Sequence, residues 1–224
     1  MADCQTGTVW ASLVLQAYSY AAANGAHIVL SSATAEAAGG DACSAAEAWP
    51  SCEAARAAAF ADGLRPLELA GMLVVAPAYR NTSSSSSSGG GSGDTLPCTL
   101  AERSTALLCA ADSAFSNAGS RNSSRLSLPA AGLYSAFAAG SYASAGGSAV
   151  AAAATAGAAA LAQGAAAARF RGNAEGIGPM SKAALLQSYT ASRSTLNVAA
   201  AVDEIVTNAG GAVACRCGCA GGLP

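Results

Sequence analysis

Gly71-Met72-Leu73-Val74-Val75-Ala76 decides how the rest of the chain is read. Five apolar residues follow the glycine without alternation, the pattern of a strand buried on both faces, as in a parallel sheet covered by helices. The same order of helix, glycine and apolar strand occurs once before it. Residues 9–24 read as a helix that Gly25 stops in a left-handed cap, and His27-Ile28-Val29-Leu30 follows as a short buried strand. Between the two strands, 31–41 reads as a small-residue loop and 53–62 as a helix stopped by Gly63. Pro66 argues for a connection over 64–70. Further on, 105–110 reads as a third strand, 149–168 as a long helix, and 181–188 and 198–205 as two more helices. The expectation is an α/β three-layer sandwich: a parallel sheet with βαβ crossovers and helices on both faces, with 149–168 as the central helix.

Composition bounds the function. The chain has 224 residues, 52% hydrophobic and 11% charged, so it can bury a sizeable core and is not a disordered chain. Its formal net charge is -2 and no basic stretch stands out, which excludes nucleic acid as an expected partner. One histidine, His27, must serve any histidine-dependent chemistry unless another chain supplies one. Residues 126–168 carry no charge, and 147–168 could reach across a bilayer by length. The run is mostly alanine and glycine, only marginally apolar, and reads as a buried helix rather than a membrane span. Residues 82–94, with Ser83 to Ser88 followed by three glycines, form a low-complexity surface loop, and 210–224 reads as a Gly/Cys-rich tail.

Eight cysteines suit an oxidising compartment, but eight allow 105 pairings, so none is assigned; a local Cys43–Cys52 bridge is one option. Cys215, Cys217 and Cys219 lack a fourth ligand, and neither metal nor cofactor is expected. The start, Met1-Ala2-Asp3-Cys4, has no basic segment of the signal-peptide type, so the cysteines favour a secretory or extracellular setting that the N-terminus does not announce. Asn81-Thr82-Ser83 and Asn122-Ser123-Ser124 would be glycosylation sequons in that setting.

Six segments in order carry a resemblance. They are Tyr20-Ala21-Ala22-Ala23-Asn24-Gly25-Ala26-His27-Ile28-Val29, Gly71-Met72-Leu73-Val74-Val75-Ala76-Pro77-Ala78, Phe115-Ser116-Asn117-Ala118-Gly119, Leu126-Ser127-Leu128-Pro129-Ala130, Gly147-Ser148-Ala149-Val150-Ala151 with Thr155-Ala156-Gly157-Ala158-Ala159-Ala160-Leu161, and Leu196-Asn197-Val198-Ala199-Ala200-Ala201-Val202. Each is weak alone in an alanine-rich chain. In this order they resemble the later part of the catalytic domain of the subtilisin-like serine proteases, the subtilases. The resemblance implies a truncated subtilisin-like domain over about 1–208, followed by the tail over 209–224. It also implies a serine endopeptidase ancestry and a peptide or protein as partner.

The resemblance also locates the expected chemistry and its defects. Peptide hydrolysis in this family needs a serine nucleophile, a histidine to take its proton and an aspartate to orient the histidine. The segments for the last two would precede residue 9. His27 lies beside an apolar strand without the Gly-Thr-His context, and reads as structural. Aligning Gly147, Val150, Gly157 and Leu161 puts Ala149 at the nucleophile position, and a methyl group cannot attack a carbonyl. Ser148 becomes the nucleophile only through a one-residue slip. The oxyanion asparagine falls on Arg80 in direct register and on Asn81 one residue later. Ser32-Ala33-Thr34 occupies the peptide-binding segment, with Thr34 where glycine would let a backbone approach.

Three functions compete. The first is a non-catalytic subtilisin-like remnant, either a pseudo-protease that still binds peptides or a truncated gene product. The second is an active endopeptidase that uses Ser148 together with further N-terminal sequence. The third is a small secreted Ala/Ser/Gly-rich structural protein, which would show no cooperative α/β melt.

Overall fold

A computed structural model describes residues 11–31, 49–78, 97–101, 103–113, 125–136, 140–170, 177–191 and 196–216. The first helix, α1 (Ala11–Ala23), ends as its glycine predicts. Gly25 has φ 78°, its N–H donates to the Ala22 carbonyl at 3.0 Å, and the Ala26 N–H donates to Ala21 at 3.0 Å. This Schellman arrangement satisfies two carbonyls that the helix end would otherwise orphan. It turns the chain into β1 (Ile28–Leu30).

The unit repeats with a correction. The second helix, α2 (Trp49–Leu69), does not stop at Gly63 but runs through both Gly63 and Pro66, so the connection expected over 64–70 is helical. Pro66 lies on the exposed side of a turn whose Leu64 and Leu67 are fully buried, and that burial outweighs the hydrogen bond proline removes. At Gly63 the Leu15 side chain of α1 lies against the bare backbone of α2, its Cδ1 2.5 Å from where a Cβ would stand. The true stop is Gly71, φ 66°, with Gly71 N–H to Glu68 O at 3.1 Å and Met72 N–H to Leu67 O at 3.0 Å. Then comes β2 (Leu73–Pro77), buried at every position.

After a short 3₁₀ turn (Cys98–Leu100), β3 spans Leu107–Asp112, two residues later than expected from sequence. Its start is delayed because Ser104 and Thr105 are held in a turn by Glu68. The Ser104 hydroxyl donates to Glu68 Oε1 at 2.7 Å and the Thr105 N–H at 2.8 Å. β4 (Arg125–Leu128) completes a four-stranded sheet in the order β1-β2-β3-β4 with every pairing parallel. Ile28 faces Leu73, Val29 faces Val74 and Leu30 faces Val75. At the β4 edge, the Tyr189 hydroxyl accepts from Ser127 N–H at 3.2 Å and donates to Ser127 O at 3.0 Å, which blunts that edge. β5 (Leu133–Ala136) and β6 (Tyr142–Ala145) form a separate antiparallel hairpin.

Three helices follow: α3 (Ser148–Phe170), α4 (Ile177–Ala191) and α5 (Val198–Arg216). α5 continues through Gly210 and Gly211, where the sequence suggested a tail to begin. Alternate strand residues feed two cores. Met72, Val74, Ala76 and Leu107 meet Val14, Phe60, Leu64 and Leu67 of α1 and α2. Leu73, Val75, Leu108 and Leu126 meet the alanines of α3 together with Leu185 of α4 and Ile205 of α5. The result is the expected α/β three-layer sandwich. α3 packs on β1, β2, β3, α4 and α5, and its small side chains permit that central position. Its length and hydropathy would also allow a bilayer crossing, but half of that stretch is buried inside the fold.

Cys98 and Cys109 form a disulfide that pins the 3₁₀ turn to β3. Residues 97–109 carried no signal that singled out this pairing. Cys43, and with it the Cys43–Cys52 option, lies outside the described residues, as do the loop over 82–94 and the cysteine side chains of 215–219.

Candidate functional site

In an open parallel sheet the strand carboxyl ends and nearby helix N-termini form the usual ligand crevice. Here Ser31 at the end of β1, Ala78 beyond β2, Asp112 ending β3 and the start of α3 all lie at that end. The strands stay paired to their last residues. Ser31 N–H donates to Val75 O at 2.9 Å, Ala78 N–H to Ala110 O at 2.7 Å, and Ser113 N–H to Leu128 O at 2.8 Å.

Asp112 organises this end, and the sequence reading missed it. Its side chain is fully buried. Oδ1 accepts from Ala130 N–H at 3.3 Å and Oδ2 from Gly147 N–H at 3.1 Å, while its own N–H donates to Ser148 Oγ at 3.4 Å. A buried carboxylate is sustained by such donors, and its charge suits the N-terminal end of a helix. One carboxylate thus ties the end of β3 to the segment after β4 and to the entry of α3. Gly147 makes the entry possible, with φ 98°, a left-handed conformation that other residues adopt at a cost. The available signal was a lone acid closing the apolar run Leu107-Leu108-Cys109-Ala110-Ala111-Asp112.

The expected site residues fall as follows. Ala149 lies in the first turn of α3 and is exposed. Ser148 begins that helix, half-buried, with its hydroxyl oxygen engaged by the Asp112 N–H. His27 precedes β1 at the opposite end of the sheet from α3's first turn, and its carbonyl accepts from Leu73 N–H at 2.9 Å. The structure therefore does not bring His27 and Ser148 together. Ser32, Ala33, Thr34, Arg80, Asn81 and the turn over 115–119 lie outside the described residues. Among the described residues no group of three or more His, Cys, Asp or Glu side chains is arranged to hold a metal ion.

This is a mixed α/β fold of the subtilisin-like type, with a parallel sheet and covering helices. Its similarity to solved structures is extensive in shape and low in sequence. The self-cleaved protease domain of PatA matches with TM-score 0.64 and 21% identity over 92% of this chain and 72% of that one. The prenylagaramide maturation protease PagA matches with TM-score 0.62 and 19% identity, over 88% of this chain and 68% of that one. The PatG macrocyclase in complex with peptide matches with TM-score 0.61 and 14% identity, over 87% of this chain and 56% of that one. No family model and no curated protein matches the sequence.

Proposed function

We propose that this chain is a non-catalytic subtilisin-like module that binds extended peptides. The observation that carries the reading is Ala149 in the first turn of α3, at the position where the sequence resemblance expects the nucleophile. A serine there would need a base to take its proton, and the chain's only histidine belongs to the other end of β1. Ser148, the adjacent hydroxyl, has its oxygen turned to the main chain of Asp112. In this reading Ser32-Ala33-Thr34 is the peptide-binding segment that the resemblance implies, and Arg80 or Asn81 is the remnant of the oxyanion position. Peptide as the ligand class is supported by the PatG macrocyclase, a similar fold solved with a peptide.

The experiment is retention of peptides from a tryptic digest of casein on immobilised protein. The reading expects a reproducible subset to be retained uncleaved, and Ala149→Trp, which places a bulky ring at the exposed start of α3, to reduce that retention. No retention, or equal retention by Ala149→Trp, would refute it.

A further inference from the structure

The β5–β6 hairpin stands outside the main sheet. Its strands pair Tyr134 with Ser144 and Ala136 with Tyr142, so these four side chains share one face. All four are exposed, while Ala143 and Ala145 on the other face are half-buried. Tyr134 is 80% and Tyr142 73% exposed, which leaves both rings open to solvent. We propose that this face is a docking site for a proline-rich segment of a partner protein, bound in the polyproline II conformation.

The two tyrosines occupy one diagonal of the face, with Ala136 and Ser144 on the other. Diagonal neighbours on such a face stand about 7–8 Å apart. An apolar ring that touches an aromatic ring on each side spans about the same distance, two contacts of about 3.5–4 Å. A pyrrolidine ring therefore fits between the tyrosines, above the small Ala136 and Ser144 side chains. Polyproline II has no internal hydrogen bonds, so its carbonyls are free to accept from the tyrosine hydroxyls. Its backbone is ordered before it binds, so a small face can hold it at low entropic cost.

Charge selects the same occupant. No residue from 126 to 168 is charged, so the hairpin offers no ion-pair partner to an acidic or a basic peptide. The carboxylate at its root, Asp112, is buried and accepts from the Ala130 and Gly147 N–H groups. Those two bonds hold the hairpin at both ends of its base and leave its outer face neutral. A proline-rich segment is likewise neutral and meets the rings with apolar surface. Neither tyrosine belongs to the peptide-binding reading above, and the proposal does not depend on it.

The test titrates fluorescein-labelled decaproline with the full chain and follows fluorescence anisotropy, beside a labelled glycine-serine peptide of the same length. The expected result is saturable binding of decaproline with Kd below about 1 mM, and no saturation by the glycine-serine peptide in that range. Tyr134→Ala and Tyr142→Ala should each weaken decaproline binding at least about tenfold. Tyr20→Ala, which removes a similarly exposed ring from α1, should leave it unchanged. In the wild type, decaproline should shift the amide NMR signals of 133–136 and 142–145, a readout that stands even where a variant does not fold. No saturation by decaproline, equal binding of the glycine-serine peptide, or wild-type binding by either Tyr134→Ala or Tyr142→Ala would overturn the proposal. So would self-association of the chain that Tyr134→Ala abolishes, which would make a second copy the occupant. Cellohexaose shifting the same signals at lower concentration than decaproline would overturn it in favour of a neutral glycan.

Discussion

Oδ2 of Asp112 accepts a hydrogen bond from the Gly147 N–H at 3.1 Å, linking the last residue of β3 to the residue that launches α3. Through Oδ1 the same carboxylate holds Ala130, so removing it strands two main-chain donors. A buried donor left without an acceptor costs about 1–3 kcal/mol. Asp112→Ala should therefore lose about 3 kcal/mol in urea denaturation, on the order of two such donors. Asp112→Asn, which keeps one acceptor oxygen, should lose less. A loss for Asp112→Ala within about 0.5 kcal/mol, the range of ordinary surface changes, would show that the carboxylate does not anchor the helix.

Two glycines should respond oppositely to alanine. A Cβ at Gly178 would collide with the Gly71 carbonyl, to which Gly178 donates at 3.1 Å, and backbone cannot yield as a side chain does. Gly178→Ala should cost about 2 kcal/mol, in the range of overpacking. At Gly63 the obstacle is the end of the flexible Leu15 side chain, and the helix gains about 1 kcal/mol from alanine's propensity. Gly63→Ala should fall near neutral. Thermal melts of the two variants side by side check the contrast, and equal losses would contradict it.

How much of this could be read from residues alone depends on which force decides each element. The α1–Gly25–β1 unit was legible because the glycine's left-handed cap and the apolar strand agree. The end of α2 was not, because Gly63 and Pro66 are local stop signals that the burial of Leu64 and Leu67 overrides. The start of β3 was hidden by a tertiary contact, Glu68 holding Ser104 and Thr105 across 36 and 37 positions. At the candidate site, register against Gly147 and Gly157 places Ala149 and Ser148 at the start of a helix, and the structure has that helix begin at Ser148. Asp112 escaped because its partners are main-chain N–H groups, which carry no side-chain signature in sequence.

Stability should vary with pH on two opposed limbs. Burial lowers Lys182 from 10.5 to about 8, so between those values the unfolded chain holds a proton that the folded chain has released. Stability then rises with pH across that window, since it increases wherever the unfolded state binds more protons. Burial raises Tyr18 above 10.0, with Ser31 opposing, so above that pH the unfolded chain ionises first and stability falls. The expectation is a maximum near pH 10, tested by urea midpoints across the range. Lys182→Met should flatten the rising limb and Tyr18→Phe the falling one. An unchanged rising limb in Lys182→Met would contradict the assignment.

The Cys98–Cys109 bridge closes a loop with a sequence separation of 11. Chain-entropy arguments give about 3 kcal/mol for a loop of this order. Non-reducing peptide maps should join these two cysteines, and the double substitution to serine or alanine should lower the melting temperature by several degrees. Free thiols at both positions under non-reducing conditions would refute the bridge.

The proposal that this subtilisin-like fold lacks peptidase chemistry is tested most directly by labelling with a fluorophosphonate probe, which reports an activated serine. Wild type, Ala149→Ser and Ser148→Ala are treated together. The account predicts no labelling of any of the three. Ala149→Ser places a hydroxyl at the start of α3, but His27 is at the other end of β1 and cannot take its proton. Labelling of wild type that disappears in Ser148→Ala would contradict the account and identify Ser148 as a working nucleophile.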